Sequence, residues 1–142
     1  MKKLTGPEAS RVADLIERAV DLYESEQIEW CQNGFFNQNN SDWSKAYPNE
    51  VAAKFATPKI ISACAWGSLI LAACEHNLAR AWELSVNGSR IEDVHWGKVL
   101  EAKLAIERNL QSSVPVFNDE VGRTKQEIID AMKDTAKDLR NA

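Results

Sequence analysis

The chain lacks a hydrophobic stretch long enough to cross a bilayer. Its longest apolar run, "IISACAWGSLILAAC" from Ile60 to Cys74, is short of the roughly 20 residues that a spanning helix needs. Ser62, Gly67 and Ser68 dilute the run and Glu75 closes it, so a buried core helix is the expectation. A secretion signal is lacking too: Met1-Lys2-Lys3-Leu4 begins like one, but Thr5-Gly6-Pro7-Glu8 follows and no apolar core develops. There is no excess of positive charge. The formal net charge is −4, which argues against nucleic acid as a partner, because that affinity rests on Lys and Arg neutralising phosphates. The three cysteines, Cys31, Cys64 and Cys74, show no C-x-x-C spacing and are expected as reduced, mostly buried thiols in a cytoplasmic protein. The two histidines, His76 and His95, add no metal motif, since Cys74 and His76 are two residues apart and point to different sides of a helix. Glycine-rich phosphate loops, H-E-x-x-H and a nucleophile elbow are absent, so no catalytic residue, metal ligand or cofactor is assigned.

What remains is a domain-sized chain of ordinary composition. Its 142 residues are 44% apolar and 27% charged, enough for one domain with its own core and no staples. Five tryptophans are many for this length and need either burial or a partner.

Thr5-Gly6-Pro7-Glu8 reads as a helix start, with Thr5 as cap, Pro7 in the first turn and Glu8 closing a capping box. Val12, Leu15, Ile16, Ala19, Leu22 and Tyr23 then recur at helical spacing, and the helix is expected to reach Ser25 or Glu26. The stretch from Glu29 to Glu50 carries Asn33, Asn37, Asn39, Asn40 and Asn49, which favour turns, together with Trp30, Phe35, Phe36, Trp43 and Tyr47. A long loop pinned by aromatics is expected there. Thr57-Pro58 marks the start of the central apolar helix, whose pattern continues through Leu78, Ala81, Trp82 and Leu84 to Asn87-Gly88. Ile91 to Leu110 is again helical, and only Val114 to Phe117 has strand character. Thr124 and Glu127 form a T-x-x-E capping box for a last helix with Ile128, Ile129, Met132, Thr135, Ala136 and Leu139 as its inner stripe. The expected fold is all-α: one domain over residues 1–142, a bundle of four to five helices around a central apolar helix.

Three motifs occur in order: "WCQNG" at Trp30, "ACAWGSLILAA" from Ala63 and "VPVFNDEVGRTKQEIIDAMKDTAKDL" from Val114. On these the chain resembles a family of short, uncharacterised proteins of bacteria and their phages. Its members combine a G-W-C-Q-like element, a C-L-x-G-A-L-like helix and a W-N-D-x-x-G-R-T-x-x-E-V tail. The resemblance spans Val12 to Leu139, with Phe117 where the family often has Trp and Glu29 where it often has Gly. The Asn-rich insertion after Asn33 is particular to this chain. The resemblance implies no activity.

The turn from Asn118 to Thr124 has two readings. Leading into a helix N-terminus with Arg123 alongside, it would suit a small anion at Gly122, Arg123 and Thr124. Alternatively Thr124 caps its own helix, Asn118 and Asp119 bond loop amides, and Arg123 pairs with Asp119 to lock the turn. An Arg123 tied to an acid makes the turn a brace, and an Arg123 facing an open aromatic pocket makes it a site. The candidate binding residues are Trp30, Gln32, Phe36, Trp43, Tyr47, Asn118, Asp119 and Arg123. They point first to a non-enzymatic module binding a protein partner, which in a phage setting would be a host protein such as a defence component. The alternatives are a binder of a nucleotide or other small anion, and a cysteine-dependent enzyme using Cys31 or Cys64 with His76 or His95. A dimer is expected if the central helix exposes an apolar strip.

Overall fold

The computed structural model describes residues 4–33, 36–38, 41–42, 62–73 and 94–142. Five helices and four short strands lie among the described residues. The helices are α1 (Gly6–Glu24), α2 (Ala65–Ala73), α3 (Val94–Leu110), α4 (Val114–Asp119) and α5 (Lys125–Arg140). The strands are β1 (Glu29–Trp30), β2 (Phe36–Gln38), β3 (Ser41–Asp42) and β4 (Ser62–Ala63).

The described part of the chain is mainly helical, as the periodicity predicts. The apolar stripe of α1, from Ala9 to Tyr23, is buried, and it packs chiefly on α5, whose Ile128, Ile129, Met132, Thr135 and Ala136 are buried in turn. Ion pairs border this contact: Lys133 Nζ lies 2.6 Å from Glu24, and Arg140 bonds both Asp14 and Glu17. Every residue of α2 is buried, and it packs on both α1 and α3. The apolar strip that would have favoured a dimer is therefore absent from Ala65–Ala73. Leu69, Ile70 and Leu71 of α2 join Leu15, Ile16, Val99, Ile106 and Met132 in one core. Lys103 of α3 covers the Trp66 ring, its Nζ 5.4 Å from the ring centroid.

Three expectations need correction. Val114–Asp119 is a helix and not an extended segment. Ser113 accepts a hydrogen bond from Val116 N at 3.2 Å and Pro115 sits in the first turn, which together start a helix despite the β-branched valines. Thr5 stands at the N-cap of α1 but makes no capping hydrogen bond with its side chain. Gly6 beside it takes φ 57°, which turns the chain away from capping geometry, so the capping box with Glu8 does not form. The sequence reading also has no sheet, whereas the order β1-β4-β2-β3 sets Ser62–Ala63 between Glu29–Trp30 and Phe36–Gln38. In it β4 runs parallel to β1 and antiparallel to β2. Ser62 and Ala63, read as part of the apolar helix, are strand, and the helix begins at Ala65. The helix start at Thr57-Pro58 and the stretch from Cys74 through Asn87-Gly88 lie outside the described residues.

Candidate functional site

Parallel pairing of Trp30 with Ala63 sets β1 beside β4, and Cys31 N extends the ladder to Ala63 O at 3.3 Å. Tyr23, fully buried at the end of α1, donates its hydroxyl to the same Ala63 carbonyl at 2.7 Å. Burial first, and the neighbouring Cys64 second, push the Tyr23 hydroxyl well above its ordinary titration range. The end of β1 is thereby fixed against the start of α2, and α4 closes over both.

Asn118 is the node of this junction. Its carboxamide is 0% exposed. Its Oδ1 accepts from Trp30 Nε1 at 2.7 Å and from Ala65 N at 2.9 Å. Its Nδ2 donates to Cys31 O at 3.0 Å and to Asp119 Oδ1 at 2.9 Å. Two donors face the oxygen and two acceptors face the nitrogen, so the amide orientation follows from its partners and its hydrogen-bonding capacity is filled. Gln32 Nε2 donates to both Asn118 O and Glu120 O at 3.0 Å, and Asp119 Oδ1 accepts from Asn33 N at 2.9 Å. The Trp-Cys-Gln-Asn segment and the Asn-Asp-Glu segment thus bond each other directly across more than eighty residues of sequence.

Arg123 stands at the far end of the same turn. Its guanidinium lies 3.7 Å from the Phe117 ring centroid, and its Nε donates to Phe117 O at 3.0 Å. Its terminal nitrogens bond Glu127 at 2.8 Å and Glu120. The expected partner Asp119 is not among them, because Asp119 turns back to Asn33 and Asn118. The helix that follows closes its own N-terminus. Thr124 Oγ1 accepts from Glu127 N at 3.2 Å, and Glu127 Oε1 accepts from Thr124 N at 3.0 Å, the predicted capping box. The bond from Thr124 N first, a second from Thr124 Oγ1 to the same carboxylate oxygen at 3.1 Å, and Arg123 third hold the Glu127 carboxyl below its usual range. The terminal nitrogens of Arg123 and the backbone N–H of Thr124, among the groups that would have held an anion, are engaged with the chain's own carboxylates. By the criterion of an Arg123 tied to an acid, the turn is a brace.

The thiols differ in setting. Cys64 is buried at the start of α2, where Gly67 N donates to its Sγ at 3.3 Å. Burial outweighs that hydrogen bond and pushes the thiol up to about 12, so it is protonated at neutral pH. Cys31 is half-buried. Trp43, Tyr47, Cys74 and His76 lie outside the described residues. Phe36 enters β2 and His95 enters α3. Among the described residues no group of three His, Cys, Asp or Glu side chains comes together as a metal site. Nor is any described helix long and apolar enough to cross a membrane.

Residues 7–138 match a family of unknown function, DUF6197. The chain belongs to that family. Comparison with curated proteins and with solved structures gives no match. The DUF6197 span takes in the whole junction from Tyr23 to Glu127. Some of its members carried no sequence signal of their role: Tyr23 reads as one more residue of an apolar stripe, and Ala65 contributes only its backbone N–H. Glu120 could have been found, since it stands three residues before Arg123, within reach of its side chain.

Proposed function

We propose that this DUF6197 chain is a non-enzymatic protein-binding module whose contact face includes the turn between α4 and α5. The observation that carries the reading is the contrast at Val121. Its side chain is 99% exposed, and Val116 nearby is 66% exposed, on a turn held on one side by an exposed bond from Gln32 to Glu120 O and on the other by a half-buried bond from Arg123 to Phe117 O. An apolar side chain held out on a pinned turn loses little conformational freedom when a partner covers it. Burying one valine contributes about 1.5–3 kcal/mol. Trp30, Gln32, Asn118, Asp119 and Arg123 act in this reading as the frame that positions Val121, and Trp43 and Tyr47 supply further contacts. In a phage setting the partner is a host protein, such as a defence component.

Affinity capture from host lysate tests this, with the wild-type chain, Val121→Asp and Trp43→Ala as baits. One partner retained by wild type and lost by Val121→Asp, at an unchanged melting temperature, supports the reading. No captured partner, or equal capture by Val121→Asp, overturns it. The alternative of a small anionic ligand loses its main support, because the donors of Arg123 are engaged within the chain. A cysteine enzyme built on Cys64 is disfavoured by its buried, protonated thiol.

A further inference from the structure

Away from that junction, the start of α1, the middle of α3 and the end of α5 enclose a cavity of about 340 Å³. That volume lies within the range of small-molecule sites. Part of its lining is apolar, from Leu4, Leu104 and Leu139, with Leu4 and Leu139 packed against the core. The charged part is one-sided: Glu8, Glu101 and Asp138 stand against Arg108 alone. Glu8 and Arg108 make contacts of their own. Asp138 is held by Asn109, whose Nδ2 donates to it at 3.0 Å and to the buried Thr135 at 3.1 Å. Glu101 has no hydrogen bond or ion pair among the described residues.

An apolar hollow with surplus carboxylates selects by charge and by shape together. An anion entering it would meet three acids for one base. A cation meets that surplus, and an alkyl body lets it cover the leucines. We propose that this cavity binds a small organic cation with an alkyl chain, its ammonium end at Glu101 and its chain against Leu104 and Leu139. The charged end stays near the solvent-facing rim, which spares it the full cost of desolvation. Each methylene that fits the hollow tightens binding about fourfold.

Titration of the full chain with hexylammonium, octylammonium and octanoate, followed by NMR shifts or calorimetry, tests the assignment. Octylammonium should bind saturably at one site, more tightly than hexylammonium and about tenfold or more tighter than octanoate. Glu101→Gln should weaken octylammonium by about threefold, and Ala105→Met, which fills the hollow, should abolish binding at a near-wild-type melting temperature. Equal affinity for octanoate and octylammonium would overturn the proposal. So would full binding by either variant, or no saturable binding by folded wild-type protein. None of these lining residues belongs to the Asn118 junction, so Val121→Asp should leave octylammonium binding unchanged and the two proposals fail separately.

Discussion

Removing the Asn118 side chain should cost the domain a large part of its stability. Asn118→Ala leaves Ala65 N, Cys31 O and Trp30 Nε1 without the partner they share. Ala65 N is buried, where an unsatisfied polar group costs about 1–3 kcal/mol, and Cys31 O is half-buried and loses less. Trp30 is half-buried, so its indole N–H recovers part of the loss from water. A water molecule entering the vacated space recovers some of the rest. The expected loss is about 3–5 kcal/mol, against the roughly 5–15 kcal/mol by which such domains are stable. Urea denaturation followed by circular dichroism measures it, with an unchanged slope as the sign that both end states are preserved. Asn118→Asp refines the test, since it keeps the shape and the acceptor for Trp30 and Ala65. Its second oxygen then faces Cys31 O and the Asp119 carboxylate, so the charged form is disfavoured and the folded-state pKa rises above the unfolded value of about 4. A raised acid contributes its stability below the unfolded pKa and loses it as pH rises through the folded pKa. The Asp variant should therefore lie closest to wild type below about pH 4 and fall behind it toward pH 7. A loss below about 1 kcal/mol for Asn118→Ala, or a pH-independent gap for Asn118→Asp, would refute the reasoning.

Gln32→Ala frees the carbonyls of Asn118 and Glu120, the second just before Val121, so it should weaken a captured partner several-fold with a stability loss of about 1 kcal/mol or less. Equal partner affinity in a binding titration would count against the frame. Gly122 adopts φ 85° with open space where a Cβ would sit, so Gly122→Ala should cost about 1 kcal/mol from backbone strain alone, and Gly122→Asn less, by thermal denaturation. Tyr23→Phe should cost only about 1 kcal/mol in urea, because Ala63 O keeps its bond from Cys31 N. Thr124→Ala should lose about 1 kcal/mol at neutral pH. The Glu127 carboxyl is held low, first by Thr124, so its contribution is present above the unfolded pKa and lost as pH falls through the folded one. The gap between wild type and Thr124→Ala should accordingly narrow in acid without closing, because the Thr124 hydroxyl still caps Glu127 N when the carboxyl is protonated.

The long helices were legible because burial repeats along them. Val12 through Tyr23 and Ile128 through Leu139 keep the helical period over several turns, and the Thr124–Glu127 box marks its own boundary. The sheet was not legible, since strands of two or three residues are too short to show alternation and their pairing spans tens of residues. Val114 to Phe117 misled for a related reason: two valines suggest a strand, while Ser113 and Pro115, which decide the outcome, act on the backbone. At the junction the motif residues were visible one by one, but not their mutual bonding. The expected pairing of Arg123 with Asp119 failed on direction. Asp119 ends a helix that aims its carboxylate at Asn33, while Glu120 and Glu127 stand on either side of the guanidinium.

That geometry changes what the motif residues mean for function. Trp and Arg in a surface turn usually suggest direct contact with a partner. Here Trp30 spends its indole N–H on Asn118, and Arg123 is stacked on Phe117 and closed by two carboxylates. The fold gains a fixed relation between β1, the start of α2 and the turn before α5, made by side chains and so independent of the sheet's few backbone bonds. A turn secured in this way does not have to be ordered when a partner arrives, and its exposed residues are free to vary without loosening it. Among the described residues, Val116 and Val121 are the large apolar side chains left most exposed. Sequence motifs mark the frame, and the surface that the frame holds out is where recognition would be read.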